Sequence, residues 1–327
     1  MNLQSSSTVL SLLCGIAVAL LGTILVSLPA VSQVDTADPS LYIHHVEHAG
    51  ITIRGMSEVK PETLAIAKDR LKMLLEHQPN VTANLASIGA ELRVTAGLEG
   101  FKATGGLISY ATQENILKLP NDSHADHRDI TVHELAHMLH IIGFSDDLQQ
   151  RINQRYEAAL AEKLWPGCYA LTNDREFFAE LTMWYFGTRG DYGDIDPAPK
   201  EGPEWFKSYD PDSYALLEEI YSGKLPGGKF DWTGLSSEPI GDESIIKSHN
   251  SDERCYIAFR NETEQALSYH WLDFEGKRVS YGQIYPHSVA GMDTYATHPW
   301  VVLDDDEQVL GIFIPQDPHS LVVLDEP

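Results

Sequence analysis

Apolar residues recur at helical spacing through the middle of the chain, and they alternate with polar residues in short runs towards its end. Near the start, alternation over residues 42–56 and 88–96 predicts strands, and Pro61 to His77 predicts a helix with proline in its first turn. Helical periodicity then dominates from Ile130 to about Tyr221. Further helices are expected there at 147–164 and 211–221.

The pattern changes after residue 224. Glycine, proline and serine become frequent over 225–243 and periodicity is lost, which predicts a linker. Short alternating runs follow and predict a small β-sandwich. The runs are 255–259, 268–274, 300–304, 309–314 and 320–324. The predicted fold class is α+β, with a mostly helical domain and a small sheet at 40–224 and an all-β sandwich at 244–327.

The start of the chain predicts where the protein resides. Residues 9–31 are almost wholly apolar, and Ala30-Val31-Ser32 offers small residues for cleavage. We expect residues 1–32 to be a signal peptide and the protein to be secreted and extracellular. Because no Lys or Arg precedes Arg54, a retained membrane anchor with an extracytoplasmic domain is the alternative.

Cysteine usage and charge narrow the chemistry further. Cys168 and Cys255 remain after removal of the leader, either as a disulfide or as two buried thiols. The 327 residues carry a formal charge of −25, from 23 Lys plus Arg against 48 Asp plus Glu. Such a charge repels phosphate backbones and anionic lipid, so nucleic acid is excluded as a partner. Membrane contact is expected only through a retained anchor.

The candidate chemistry lies in His133-Glu134-Leu135-Ala136-His137. Two imidazoles four residues apart on a helix share one face and can bind a single metal ion. Glu134 then lies beside the metal, where its carboxylate can take a proton from bound water. The alternative is an ordinary amphipathic helix whose histidines are satisfied in the core.

Spacing tests the third ligand. A metzincin would have glycine and histidine where His140 and Gly143 stand, so that class is excluded. An Asp-ligand class requires a Gly-Thr-x-Asp-x-x-Tyr-Gly run, but here Asp191 is one place late and Tyr192 one place early. A glutamate on a later helix fits the segment Asn173 to Glu180.

In that segment Glu180 follows Glu176 after one helical turn, where its carboxylate can bond the outer nitrogen of a ligand histidine. The two carboxylates, Glu176 and Glu180, are alternatively a solvated helix face. Yet the helix is rich in aromatic residues, and carboxylates desolvated there need a cation or donors.

This segment, with Tyr169 seven residues before Glu176, resembles the lethal-factor type of gluzincin metallopeptidase, the family of the anthrax toxin protease domain. The resemblance covers roughly residues 85–190 at motif level. It implies a zincin-type domain that binds one Zn²⁺ per chain. It also implies ligands His133, His137 and Glu176, an orienting Glu180, and a Tyr169 phenol that bonds the developing oxyanion. Glu134 would be the general base of peptide hydrolysis, with residues 105–110 as a substrate-binding edge strand or simply a buried strand.

The sandwich region resembles the von Hippel-Lindau β-domain family through Ser248-His249-Asn250-Ser251, Phe259-Arg260-Asn261 and the run from Trp271 to Gly276. That family reads 4-hydroxyproline in peptides. The resemblance implies a pocket of Trp271, Tyr281, Thr294, His298 and Trp300, with threonine in place of serine. Aromatic walls suit the pyrrolidine ring, and polar groups left unpaired by plain proline would penalise it. Alternatively the aromatic residues are core of the sandwich and the histidine is a satisfied turn residue.

Together these features predict a secreted zinc endopeptidase. Its β-module would bind protein or peptide substrates that contain hydroxyproline or are rich in proline. The alternative is a secreted non-catalytic protein that binds hydroxyproline-containing proteins and whose metal site is structural or inactive. Glu134 and Tyr169 favour the enzyme, because a structural site needs neither.

Overall fold

A mixed sheet covered by helices forms the N-terminal part of the chain, and two further sheets form its C-terminal part. The computed structural model describes residues 37–97, 107–117, 128–239 and 245–325. The predicted signal or anchor segment, 1–32, lies outside the described residues. Within those residues, no helix combines the length and the apolar character that a bilayer span requires.

The first sheet has four strands in the order β1-β2-β3-β4. They are β1 (His44–His48), β2 (Ile51–Gly55), β3 (Glu91–Thr95) and β4 (Ile108–Thr112). β1 and β2 are antiparallel, whereas β2, β3 and β4 run parallel. The segment 42–56, predicted as one strand, is a hairpin, because Ala49 and Gly50 reverse the chain with φ of 50° and 85°.

Eight α-helices are found among the described residues. They are α1 (Pro61–Leu75), α2 (Pro79–Ile88), α3 (Gln113–Leu117), α4 (Ile130–Met138), α5 (Asp146–Glu162), α6 (Asp174–Tyr185), α7 (Pro203–Tyr209) and α8 (Pro211–Tyr221). α1, α5 and α8 agree with the predicted helices. α2 and α7 were not predicted, and α2 occupies the first residue of the strand expected at 88–96. α2 ends at Gly89, whose φ of 82° is the left-handed conformation common after helices.

α4 and α6 lie side by side at the centre of the N-terminal part, and α4 also packs against β4 and α1. The buried side chains of α4 include Leu135 and Met138, and those of α6 include Phe178 and Trp184. α4 continues directly into a π-helical turn, Leu139–Gly143. The pair therefore fixes the distance between the segments that carry the candidate ligands.

The C-terminal part consists of two four-stranded sheets, ordered β11-β10-β7-β8 and β5-β12-β6-β9. Their strands are β5 (Thr233–Gly234), β6 (Arg254–Asn261), β7 (Leu267–Leu272), β8 (Arg278–Ile284), β9 (Val289–Tyr295), β10 (Trp300–Leu303), β11 (Val309–Phe313) and β12 (His319–Leu324). All five predicted runs are strands, and the fold is α+β with a C-terminal sandwich. β8 and β9 were not predicted, because β8 is largely exposed and β9 contains Gly291 and Asp293. β5 lies within the predicted linker and pairs with β12.

The outer face of the sheet β5-β12-β6-β9 packs on the N-terminal part. Tyr256 and Ala258 of β6 belong to the same buried core as the metal-motif helix α4. The Tyr256 hydroxyl accepts a hydrogen bond of 3.0 Å from the Leu107 backbone N–H, next to β4. Gly291 on β9 leaves room for the Tyr256 ring, which a β-carbon there would overlap. Most buried residues of the sandwich form clusters of their own, so residues 40–224 and 244–327, predicted as separate domains, have separate cores joined through this contact.

Candidate metal centre

The two histidines are positioned by the start of α4. Asp129 caps this helix, because its carboxylate accepts a hydrogen bond of 3.2 Å from the Val132 backbone N–H. Arg70 of α1 holds the same carboxylate at 2.5 Å. One turn apart on the capped helix, His133 and His137 place their ring centroids 4.6 Å from each other, nearly perpendicular.

The start of α6 positions the candidate third ligand. Asn173 caps this helix, accepting hydrogen bonds from the backbone N–H groups of Arg175 at 3.0 Å and Glu176 at 2.9 Å. The cap turns Glu176 towards α4, and Glu180 follows one turn later. Glu180 is only 2% exposed, so the two carboxylates are not a solvated helix face.

Three donor atoms converge between the helices. The Nε2 atoms of His133 and His137 are 3.0 Å apart, and Glu176 Oε2 lies 3.2 Å from the first and 3.3 Å from the second. Among the described residues, this is the group of three that can hold a metal ion. Tetrahedral zinc, with bonds of about 2.0–2.2 Å, holds its donors about 3.3 Å apart. The three predicted ligands therefore fit zinc in both spacing and chemistry.

Burial of several carboxylates favours a positive charge at this point. Glu176 Oε2 is buried and, although close to both ring nitrogens, has no hydrogen bond of acceptable geometry. Glu134 and Glu180 add two more carboxylates around the same histidines. Desolvated carboxylates of this number need a compensating positive charge, which a divalent ion supplies.

The pKa shifts of the metal-free protein follow from the same crowding. Burial opposes protonation of His133, but its contacts with Glu176 and Glu180 outweigh that effect and raise its pKa to about 9. Burial raises the pKa of Glu134 above its ordinary value. Although burial also acts on Glu176, its contacts with the two histidines hold its pKa well below the usual range. The carboxylates around His133 therefore favour a positive charge at this point.

Glu180 and Tyr169 take the places that the sequence predicts for them. Glu180 Oε1 lies 3.3 Å from His133 Nδ1, the ring nitrogen that faces away from the cluster. Such a contact holds the imidazole with Nε2 towards the site. The Tyr169 phenol lies near Glu176, and burial followed by the charge of Glu176 raises its pKa. The Tyr169 side chain is half exposed, so a bound substrate can reach it.

Asp191, the rival third ligand, lies outside the donor group and braces it instead. Its carboxylate accepts a hydrogen bond of 2.7 Å from the Tyr169 backbone N–H, and its own backbone N–H donates to Glu180 Oε2 at 2.5 Å. Gly190 permits this approach, because a β-carbon there would overlap the Glu180 carboxylate. Sequence reasoning missed this role, although glycines at 187, 190 and 193 mark a closely packed loop.

β4 is the final strand in the order of the first sheet and runs beside α4. Ser109 Oγ donates a hydrogen bond of 3.2 Å to the backbone oxygen of Glu134. All five residues of β4 are buried. Of the predicted substrate strand 105–110, residues 105 and 106 lie outside the described residues, and its role stays a prediction.

The five predicted residues of the hydroxyproline pocket lie together on the sandwich. Trp271 of β7 is paired across the sheet with Trp300 of β10. The Trp300 indole N–H donates to Thr294 Oγ1 at 3.1 Å, the Tyr281 ring lies 4.9 Å from Trp300, and the His298 ring lies 5.5 Å from Trp271. Trp300 is 1% exposed and Tyr281 is 39% exposed. Trp300 thus belongs to the sandwich core, whereas Tyr281 is accessible, and the role of these residues as a pocket stays a prediction.

Cys168 and Cys255 are both buried and free. Burial raises the pKa of Cys168 to about 12 and that of Cys255 to about 11. Both thiols are therefore protonated and unreactive at neutral pH. They contribute to packing and not to the candidate chemistry.

Comparison with known proteins bears on the sandwich. Residues 246–312 match the family model described as the VHL beta domain, which confirms the predicted resemblance for this region. No curated protein matches the chain. One solved structure that matches is an NMR structure of a protein from Eubacterium rectale, at 16% identity and a TM-score of 0.17, over 24% of this chain and 85% of that chain. A TM-score this low carries no argument. The gluzincin resemblance of residues 85–190 stays a prediction.

Removing a ligand should remove the metal. We expect His137→Ala and Glu176→Ala each to lose stoichiometric zinc, measured by metal analysis after dialysis, because two protein donors do not make a stable zinc site. Asp191→Asn is the matched control and should keep the ion, since it leaves all three donors in place. Zinc lost from Asp191→Asn but kept by Glu176→Ala would make Asp191 the ligand.

Proposed function

We propose that the protein is a zinc-dependent endopeptidase of gluzincin type. The observation that carries the proposal is the convergence of His133, His137 and Glu176 within 3.3 Å, beside the carboxylate of Glu134. A structural zinc site closes all four positions with protein ligands, whereas three ligands leave one position for water or substrate. The donor set therefore supports catalysis over a structural role.

The residues around the site supply the rest of a hydrolytic mechanism. When bound, zinc polarises the peptide carbonyl and lowers the pKa of water towards about 7. Glu134 takes the proton from the attacking water and then delivers it to the nitrogen of the leaving amine. The half-buried Tyr169 phenol, held next to Glu176, donates a hydrogen bond to the oxygen that gains negative charge. Glu180 keeps the His133 ring oriented throughout.

The sandwich supports a proposal about substrate. Its match to the VHL beta domain and the assembly of Trp271, Tyr281, Thr294, His298 and Trp300 favour binding of hydroxyproline-containing or proline-rich protein chains. A secreted binding protein without catalysis is the second candidate, and the same pocket is what favours it. The apolar residues 9–31 support secretion, or membrane anchoring outside the cytoplasm, for either candidate.

Glu134→Gln separates the enzyme from the binding protein. The amide keeps the size of the side chain and leaves the three ligands intact, so zinc should stay bound. Since glutamine cannot accept the proton, peptide cleavage should fall by at least about 100-fold. The comparison uses a quenched fluorescent peptide library, with Glu62→Gln on the exposed start of α1 as control. Full cleavage by Glu134→Gln would exclude this mechanism.

Tyr169→Phe tests the oxyanion donor. The variant keeps the ring and the backbone hydrogen bond to Asp191 but loses the phenol hydroxyl. We expect normal zinc content, a kcat lowered by roughly 10- to 1000-fold, and little change in KM, because the lost bond strengthens only in the transition state. Steady-state kinetics on one cleaved peptide measures kcat and KM separately. A lower Tm with unchanged specific activity would give Tyr169 a structural role only.

Hydroxyproline recognition predicts a measurable preference. A hydroxyproline peptide should bind at least about tenfold more tightly than its proline twin, since even about 1.4 kcal/mol gives that factor. Calorimetry should use the whole chain, because isolating the sandwich would expose Tyr256 and Ala258, and the Glu134→Gln background prevents cleavage. His298→Ala should remove the preference, and His45→Ala on exposed β1 should not. Equal affinity for both peptides would leave only a similarity of fold.

A further inference from the structure

The sandwich contacts the first turn of α6, which is the turn that carries Glu176. Asp174 accepts hydrogen bonds of 3.0 and 3.1 Å from Nη1 of Arg254, on strand β6. Arg175 pairs with Asp293, on strand β9, through both of its terminal nitrogens. Two consecutive residues of α6 are thus each joined to a different strand of the sandwich.

These ion pairs differ from ordinary surface pairs. The Asp174 side chain is 7% exposed, so its carboxylate has little access to water. Arg254, whose own side chain is 53% exposed, is the cation bonded to it, and its removal would leave the buried Asp174 charge uncompensated. The second pair is more exposed, but its two parallel contacts fix the relative orientation of both side chains.

Because Glu176 lies on the same helical turn, the contacts of Asp174 and Arg175 also restrict its position. Successive residues of an α-helix point about 100° apart, so fixing residues 174 and 175 sets the rotation of the helix start and with it the direction of residue 176. The Asn173 cap fixes the same turn along the axis. Metal sites tolerate only a few tenths of an ångström of error in donor position.

We propose that the VHL-like sandwich is a component of the metal centre, and that Arg254 and Asp293 are positioning residues that hold Glu176 towards the two histidines. The inference rests on the proposed zinc site. It gives the outer face of β6 and β9 a role that is separate from the hydroxyproline pocket. The proposal also gives a reason why sandwich residues pack into the buried cluster that contains α4 and α6.

Zinc affinity of the full chain tests the proposal. The dissociation constant is measured by competition with a chromophoric chelator for the wild type, Arg254→Gln and Asp293→Asn. The matched control is Arg260→Gln, also on β6 and also at the interface, where its guanidinium donates to the Ser87 backbone oxygen of α2 at 2.9 Å. We expect both test variants to weaken zinc binding about 10-fold or more, as loss of supporting contacts does at other metal sites, and Arg260→Gln to change it less than about twofold.

A charge exchange distinguishes positioning from general destabilisation. Arg175→Asp and Asp293→Arg should each weaken zinc binding, and the double variant should recover most of the affinity because the pair forms again with reversed charges. Thermal unfolding of the metal-free variants shows which of them are folded. If Arg254→Gln does not fold, Asp293→Asn and the exchanged pair still give the answer, because they leave Asp174 paired.

The outcomes separate the two proposals. A wild-type chain that binds no zinc overturns the metal centre and this role of the sandwich together. A wild type that binds zinc, with test variants as tight as Arg260→Gln, overturns the positioning role alone. Weakened binding in the test variants with recovery in the double variant supports it.

Discussion

Packing of α4 against α6 brings three carboxylates and two imidazoles out of water around one point, and the site depends on the positive charge placed there. The buried carboxylates of Glu134, Glu176 and Glu180 repel each other, and their charge favours a proton on His133, whose pKa is raised to about 9. A divalent ion bound by His133, His137 and Glu176, as proposed, would reduce this repulsion. The same ion would therefore stabilise the contact between the helices and provide the chemistry.

Much of the site could be predicted from sequence because its signals are local. His133, Glu134 and His137 lie within one helical turn, and Glu176 and Glu180 follow a capping asparagine at helical spacing. The contacts that support them are not local. Asp174 and Arg254 are 80 residues apart in sequence, and Arg175 and Asp293 are 118 apart. Aspartate and arginine are also ordinary surface residues, so the sequence does not mark these four as contacts of the site.

The fold shows the same division between strong patterns and weak ones. Long periodic helices and fully buried strands were predicted, because burial of one face produces the pattern. The hairpin at residues 42–56 was read as one strand because its turn interrupts the alternation by only two residues. β8 escaped prediction because an exposed strand has no apolar face, and β5 because two residues form no pattern. β9 escaped prediction because Gly291 and Asp293 interrupt its apolar pattern, although one side of the strand contributes to the sandwich core.

β9 links the two proposed activities in space. Successive side chains of a strand point to opposite faces, so Thr294 faces the sandwich interior, where it bonds Trp300, while Asp293 faces α6 and bonds Arg175. A protein chain held in the proposed pocket would be bound to the same compact unit as the proposed metal centre. Such tethering would raise the effective concentration at the metal centre only of those peptide bonds that can reach it while the chain stays in the pocket. Such an arrangement favours cleavage at a set distance from the recognised residue over unrestricted proteolysis.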